Sequence, residues 1–105
     1  MANAITNSDW KLFQERLPEW QEKYIGKLIE EYIALLNGPG NSSDRFWELE
    51  KRIKTDRKHP GVIMQIDKGE AVFDIVRLVN LKVITVQDLD GFSDGLIGYV
   101  NTLGS

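Results

Sequence analysis

The chain has 105 residues, of which 42% are hydrophobic and 28% are charged, a composition typical of an ordinary folded domain. It contains no cysteine, which excludes disulfides, thiolate metal ligands and a cysteine nucleophile. The net charge of −3 argues against non-specific nucleic-acid binding, because such binding depends on the neutralisation of phosphates.

The N-terminal third of the chain predicts two helices that meet at Pro18. The first spans Asp9 to Leu17, with Asn7 or Ser8 as its N-terminal cap. Proline disfavours the helical conformation of the residue before it, so we expect a break or kink there. The second helix runs from Glu19 to Leu36 and is apolar over about half of its circumference, which predicts neighbours on two of its sides.

The middle of the chain predicts two further helices on either side of a proline–glycine turn. Ser42 or Ser43 caps a helix from Asp44 to about Lys58, whose apolar stripe is narrow. The next helix spans roughly Val62 to Val79, is mostly apolar and should be the most buried. Gly69 inside it predicts a point of close packing against another helix.

The C-terminal part of the chain predicts shorter elements. Asn80 is a candidate C-terminal cap, and the apolar connector Leu81 to Ile84 could form a short strand. Thr85 with Asp88 three residues later is the signature of a capping box, which predicts a short helix. A last helix should begin at Asp94.

Together these segments predict an all-α fold, a compact bundle of four to six helices with at most one very short strand. No linker is long enough to divide the chain, so we expect a single helical domain over residues 1–105, of which residues 1–7 are flexible. The first residues lack the order of a signal peptide, and no apolar run is long enough to cross a bilayer. We therefore expect a cytoplasmic protein without membrane contact.

The candidates for chemistry are few. His59 is the only histidine and has no recognisable catalytic or metal-ligating companion, so we interpret it as an exposed turn residue. The carboxylates of Asp67, Glu70 and Asp74 are spaced to share one helix face and could hold Mg²⁺. A helix that is otherwise buried must also place its charges on the strip facing water, and we favour that interpretation. We predict no catalytic site, no metal and no cofactor, and hence not an enzyme.

The apolar surplus of the two longest predicted helices favours a role in binding. Three shorter helices cannot cover both, so an apolar helical face should remain for a protein partner or a second copy of the chain. Tryptophan and tyrosine are enriched among residues that dominate interfaces. The candidate anchors are Trp20, Tyr24, Tyr32 and Trp47.

An alternative is a small nucleic-acid or phosphate-ligand binder that uses the basic end of the third predicted helix. Its candidate residues are Lys51, Lys54, Arg57 and Lys58, with Trp47 as a platform for stacking. Acidic residues interleave with these cations, and positive charge in a last turn also complements the helix dipole. We therefore favour a solvated face over a binding site, and regard nucleic acid as the less favoured partner.

Three stretches together resemble small cytosolic helical proteins of Gram-positive bacteria that have no established function. They are Arg16-Leu17-Pro18-Glu19-Trp20-Gln21-Glu22, Phe46-Trp47-Glu48-Leu49-Glu50-Lys51-Arg52-Ile53-Lys54 and Val83-Ile84-Thr85-Val86-Gln87-Asp88-Leu89. The resemblance covers most of the chain and implies no active site. Separately, Leu78 to Leu89 is similar to the short helix–Gly-x-Ile-Thr–helix hairpins of small interaction modules, with Asn80 near the usual glycine.

Overall fold

The prediction of an all-α fold is confirmed. The computed structural model describes residues 5–103, and this part of the chain is 73% helical and contains no strand. The described residues contain four α-helices and two short 3₁₀ turns. In chain order they are α1 (Asn7–Leu36), α2 (Ser42–Asp56), a 3₁₀ turn (Lys68–Glu70), α3 (Ala71–Asn80), a second 3₁₀ turn (Val86–Leu89) and α4 (Asp94–Leu103).

The chain divides into two compact units. Within the described residues, the first unit combines 5–20 with 65–103, and the second is the continuous segment 21–64. The single domain expected over residues 1–105 stays a prediction. The flexibility expected for residues 1–7 falls in part on 1–4, which lie outside the described residues.

The two N-terminal helices predicted on either side of Pro18 form one helix, α1, so the predicted break is wrong. Proline in a helix interior removes one backbone hydrogen bond and costs about 3 kcal/mol or more. On either side of Pro18, the side chains of Phe13, Leu17 and Trp20 are buried in the first unit. Burying three side chains of this size contributes roughly 1.5–3 kcal/mol each, which offsets the local cost.

Helix α1 begins with a reciprocal pair of hydrogen bonds between Thr6 and Asp9. The amide of Asp9 donates to Oγ1 of Thr6 at 2.9 Å, and the amide of Thr6 donates to Oδ2 of Asp9 at 3.1 Å. This is the geometry of a capping box, with an aspartate in the place of the usual glutamate. Thr6 is therefore the cap, and the predicted caps Asn7 and Ser8 are wrong.

The core of the first unit joins the N-terminal part of α1 to the C-terminal elements. Its aromatic members stack in sequence, with ring centroids 6.1 Å apart for Phe13 and Trp20 and 6.2 Å apart for Trp20 and Phe92. The buried hydrophobic residues of this unit are Phe13, Leu17, Trp20, Ala71, Val72, Ile75, Val76, Leu78, Ile84, Leu89, Phe92, Leu96 and Val100.

The helix predicted from Val62 to Val79 is much shorter, because α3 begins only at Ala71. The carboxylate of Asp67 accepts a hydrogen bond from the amide of Glu70 at 3.1 Å. Such a local hydrogen bond satisfies an amide at the start of a helix, and it competes with helix formation by the residues that precede it. A Cβ at Gly69 would meet only the Asp67 side chain, so the predicted helix contact there is also wrong.

The chain leaves α3 through a left-handed residue at Lys82, with φ of 62°. The amides of Lys82 and Val83 donate to the carbonyls of Val79 and Leu78 at 3.0 and 2.9 Å. This is the Schellman pattern, in which glycine usually takes the left-handed position. This pattern ends α3, and Lys82, not Asn80, occupies the position of the usual glycine. The connector from Leu81 to Ile84 forms no strand.

The last two elements begin close to where the sequence predicts. The capping box between Thr85 and Asp88 is present and opens the second 3₁₀ turn. Helix α4 begins at Asp94, as predicted. Leu96 and Val100 are fully buried, whereas Leu103 is 43% exposed.

Candidate interaction surface

The second unit contains a helical hairpin, in which the C-terminal half of α1 packs against α2. The hydroxyl of Tyr32 donates to Oδ2 of Asp56 at 2.6 Å, and Nη2 of Arg52 lies 2.7 Å from Oε1 of Glu31. The guanidinium of Arg52 also lies over the Tyr32 ring, 5.5 Å from its centroid. Burial and the Asp56 carboxylate together raise the pKa of Tyr32 to about 12.

The turn after α2 closes the hairpin around Tyr24. The rings of Tyr24 and His59 stack with centroids 4.9 Å apart and an angle of 10° between their planes. Nδ1 of His59 accepts a hydrogen bond from the amide of Gly61 at 3.0 Å. A Cβ at Gly61 would lie 2.4 Å from the Tyr24 ring, so only glycine permits this close approach. His59 is thus partly buried and structural, which corrects the prediction of an exposed residue.

Helix α2 starts two residues earlier than predicted, at Ser42. The side chain of Asn41 accepts a hydrogen bond from the amide of Asp44 at 3.1 Å. Asn41 is therefore the cap, and the predicted caps Ser42 and Ser43 are wrong. None of the 15 residues of α2 is buried. For an amphipathic helix that packs against a neighbour, this means that its apolar stripe is left largely uncovered.

One side of the hairpin is an apolar surface, which we call the hairpin face. A groove of about 210 Å³ places Ile25 and Ile29 of α1 beside Ile53 of α2, and a second groove of about 340 Å³ continues along α2 past Leu49 to Phe46. Helical spacing puts Ile33 and Leu36 on the same side of α1. The most exposed members of the hairpin face are Ile29 (47%), Ile33 (53%), Leu36 (43%), Phe46 (60%) and Ile53 (42%).

The two rims of the hairpin face differ in charge. On α1, the charged residues nearest the apolar side chains are Glu22 and Glu30, by the angle of 100° between successive helical residues. On α2, the groove is bordered by Lys54, Arg57 and Glu50. Nζ of Lys54 lies 3.9 Å from Oε2 of Glu50. The rim on α1 is therefore acidic, and the rim on α2 carries a net positive charge.

The structure separates the four predicted anchors. Trp20 is 8% exposed in the core of the first unit, so it offers no surface to a partner and that prediction is corrected. Tyr24 and Tyr32 are partly buried and contact residues of the hairpin itself. Trp47 is 63% exposed, and its ring meets the edge of Phe46 with centroids 4.8 Å apart. An anchoring role for these three stays a prediction.

The large aliphatic side chains of the hairpin face were not among the predicted anchors. The sequence did contain a signal, because the apolar arc of the α1 segment is too wide for a single neighbour. Phe46, Leu49 and Ile53 form the narrow apolar stripe predicted for the third helix. The structure leaves Phe46 and Ile53 more than 40% exposed.

The basic cluster is split between two sides of α2. Arg57 and Lys54 border the hairpin face, whereas Lys51 and Lys58 fall on the outer side of the helix together with Trp47. Arg52, at the inner side, pairs with Glu31 and Asp56. The cluster predicted as one site is thus divided between an outer side, with Lys51, Lys58 and the exposed Trp47, and the rim of the hairpin face, with Lys54 and Arg57.

The predicted carboxylate strip does not converge. Asp67 caps a turn, Glu70 is exposed beside it, and Asp74 lies in the first turn of α3. Among residues 5–103, no three histidine or acidic side chains are grouped closely enough to hold a metal ion. Partial burial, and then the nearby charges of Glu70 and Asp67, raise the pKa of Asp74.

None of the helices within residues 5–103 is long and apolar enough to span a bilayer. No family model, curated protein or solved structure matches the chain. The resemblance to small helical proteins of Gram-positive bacteria therefore stays a prediction.

Proposed function

We propose that this protein is a non-enzymatic protein-interaction module that binds through the hairpin face. The observation that carries the proposal is that α2 buries none of its residues, while five large apolar side chains on one side of the hairpin are 42–60% exposed. The largest contiguous apolar patch on a monomer is often functional, and it marks a binding surface when polar residues surround it.

The size of the hairpin face supports the proposal. Its five most exposed side chains present on the order of 400–500 Å² of apolar area, which matches the largest patches found on monomers, about 300–600 Å². The aromatic ring of Phe46 and the rim residue Arg57 belong to the residue types that are enriched at interfaces. The groove between α1 and α2, and the one along α2, would accept apolar side chains of a partner.

Co-purification with two matched variants tests this function. A tagged chain is expressed in its native cell together with an untagged copy, and captured proteins are quantified. Ile53→Asp places a charge in the hairpin face, and Thr55→Asp places the same charge at an exposed position off it. We expect capture to fall at least tenfold for Ile53→Asp and to persist for Thr55→Asp. Equal capture by both variants would contradict the proposal.

A second candidate function, binding of a phosphate-bearing ligand, has support from one observation. Trp47 is 63% exposed and shares the outer side of α2 with Lys51 and Lys58, and Lys54 lies between that side and the hairpin face. An aromatic platform beside cations is the arrangement that binds single-stranded nucleic acids. The net charge of −3 keeps this candidate second.

Titration with a fluorescent single-stranded oligonucleotide at low salt separates the two candidates. If the lysine side is only solvated, binding should be no tighter than the non-specific range, about 10⁻⁵ M. Tighter, salt-dependent binding that Lys54→Glu with Lys58→Glu abolishes, and that Ile53→Asp leaves intact, would favour the phosphate-binding function.

A further inference from the structure

We propose that the partner of the hairpin face is a second copy of this chain, and that two hairpins pair face to face as an antiparallel four-helix bundle. This inference rests on the proposed function and names its partner. A two-fold axis parallel to the helices places α1 of one copy over α2 of the other. Each helix then has two antiparallel neighbours, as in bundles with short connections.

The available area fits this pairing. A stable interface buries about 800 Å² on each partner, of which roughly 56–58% is apolar. The apolar area of the hairpin face, on the order of 400–500 Å², is close to the apolar part of the surface that one partner buries in such an interface. Two copies therefore match in area without rearrangement of either hairpin.

The charges of the rims favour this orientation over the alternative with α1 against α1. Two contacts across the hairpin show which residues of its two arms lie at the same height along the helix axes. Glu31 lies opposite Arg52, and Tyr24 lies opposite His59. It follows that Glu30 lies at about the same height as Lys54, and that Arg57 lies at a height between Glu22 and Glu30. In the proposed pairing, the acidic rim of each copy therefore runs beside the net positive rim of the other.

The opposite orientation would place acidic rim against acidic rim. Glu22 and Glu30 of one copy would then face the same residues of its partner, and like charges in close contact oppose association. A two-fold interface is made of the same patch on both copies, so it must complement itself. The hairpin face meets this condition only with α1 over the partner's α2.

Charge reversal of one rim at a time tests the inference. We compare Glu22→Lys/Glu30→Lys with Lys54→Glu/Arg57→Glu, each as the full chain. Sedimentation equilibrium between about 1 and about 100 µM should give a wild-type mass approaching that of two 12.0 kDa chains. Each reversed variant alone should associate at least tenfold more weakly. A mixture of the two variants should recover a dimer that contains one chain of each, because both contacts between rims are then attractive again.

The outcomes separate this inference from the proposed function. A wild-type chain that stays at 12.0 kDa throughout the range, or a mixture that recovers no dimer, would overturn the pairing of two copies. If a different protein is still captured by the wild type and lost in Ile53→Asp, the interaction function remains and only its partner changes. If nothing is captured through the hairpin face, both proposals fail.

Discussion

The carboxylate of Asp9 accepts two hydrogen bonds from Ser93, a residue 84 positions further along the chain. The Ser93 amide lies 2.8 Å from Oδ1, and the Ser93 hydroxyl lies 2.6 Å from Oδ2. Asp9 is 2% exposed, and it also closes the capping box at the start of α1. One buried anion thus joins the beginnings of α1 and α4, where the helix dipole favours negative charge.

Replacement of Asp9 should therefore destabilise the fold. Asp9→Ala removes an acceptor that serves two helix starts, and hydrogen bonds to a charged group contribute about 1.5–3 kcal/mol each. We expect the free energy of unfolding in urea to fall by about 2–4 kcal/mol. Asp90→Ala, at an exposed position in the same unit, is the matched control and should cost less than about 0.5 kcal/mol. Equal effects of the two substitutions would contradict this role of Asp9.

The lowered pKa of Asp9 predicts that the fold loses stability at acid pH. Burial raises the pKa of the Asp9 carboxyl, but the hydrogen bonds from Ser93 and Thr6 outweigh that effect and leave the pKa below its usual 3.8. A lowered pKa stabilises the folded state above 3.8, and this contribution is lost as the pH falls through the lower folded value. Urea unfolding between about pH 2 and pH 6 should show a smaller acid loss in Asp9→Asn than in the wild type.

The hydrogen bond from Tyr32 to Asp56 predicts the opposite dependence in alkali. The pKa of Tyr32 is raised from 10.0 to about 12, so its stabilising contribution is complete below pH 10 and is lost as the pH rises towards 12. Absorbance at the tyrosinate band should show a late-titrating component that is missing in Tyr32→Phe. We expect Tyr32→Phe to cost about 1–2 kcal/mol at neutral pH. Titration of all tyrosines near 10 would contradict this account.

Any side chain at Gly61 should destabilise the turn that closes the hairpin. Gly61→Ala brings a methyl group to 2.4 Å from the Tyr24 ring, so the stack of Tyr24 on His59 must shift. Overpacking of this kind costs about 1–3 kcal/mol. Gly98→Ala, where no atom lies within 4 Å inside α4, should instead stabilise by about 0.5–1 kcal/mol. Thermal unfolding of both variants checks the contrast, which a stable Gly61→Ala protein would refute.

At Lys82 we expect glycine to give a more stable fold than the present residue, because the backbone there is left-handed. Its φ of 62° suits glycine, and a side chain there costs roughly 1–2 kcal/mol, part of which the greater freedom of unfolded glycine cancels. We expect Lys82→Gly to raise the free energy of unfolding by about 0.5–1 kcal/mol. Lys82→Ala keeps the Cβ and should give no gain. A gain of equal size in both variants would show that the charge, not the backbone, is responsible.

Local patterns predicted the helical class and those features that depend on neighbouring residues. The capping box of Thr85 and Asp88 is an example, since both its hydrogen bonds lie within four residues. The predicted break at Pro18 fails because distant contacts outweigh a local preference, whereas the caps Thr6 and Asn41 are local features that the prediction missed. Pro18 remains helical because residues around it are buried against C-terminal elements, and no rule of spacing reveals that burial.

The candidate site was predictable in kind but not in its residues. The wide apolar arc of the α1 segment indicated that a surface would stay uncovered, and one side of the hairpin is uncovered. The aromatic anchors were chosen by residue type, which favours tryptophan and tyrosine at interfaces. Trp20 is instead buried between Phe13 and Phe92, a contact between the two ends of the chain. Only the packing shows that isoleucines and Phe46 form the surface.

The most direct test of the hairpin face compares the same charge at two consecutive positions of α1, one on the face and one off it. Ile33→Glu introduces a carboxylate at a position that is 53% exposed on the face, and Ala34→Glu introduces the same group on the other side of α1. In sedimentation velocity at about 50 µM, we expect Ala34→Glu to associate as the wild type does and Ile33→Glu to sediment as a single 12.0 kDa chain. Association that is equal in both variants would contradict the account.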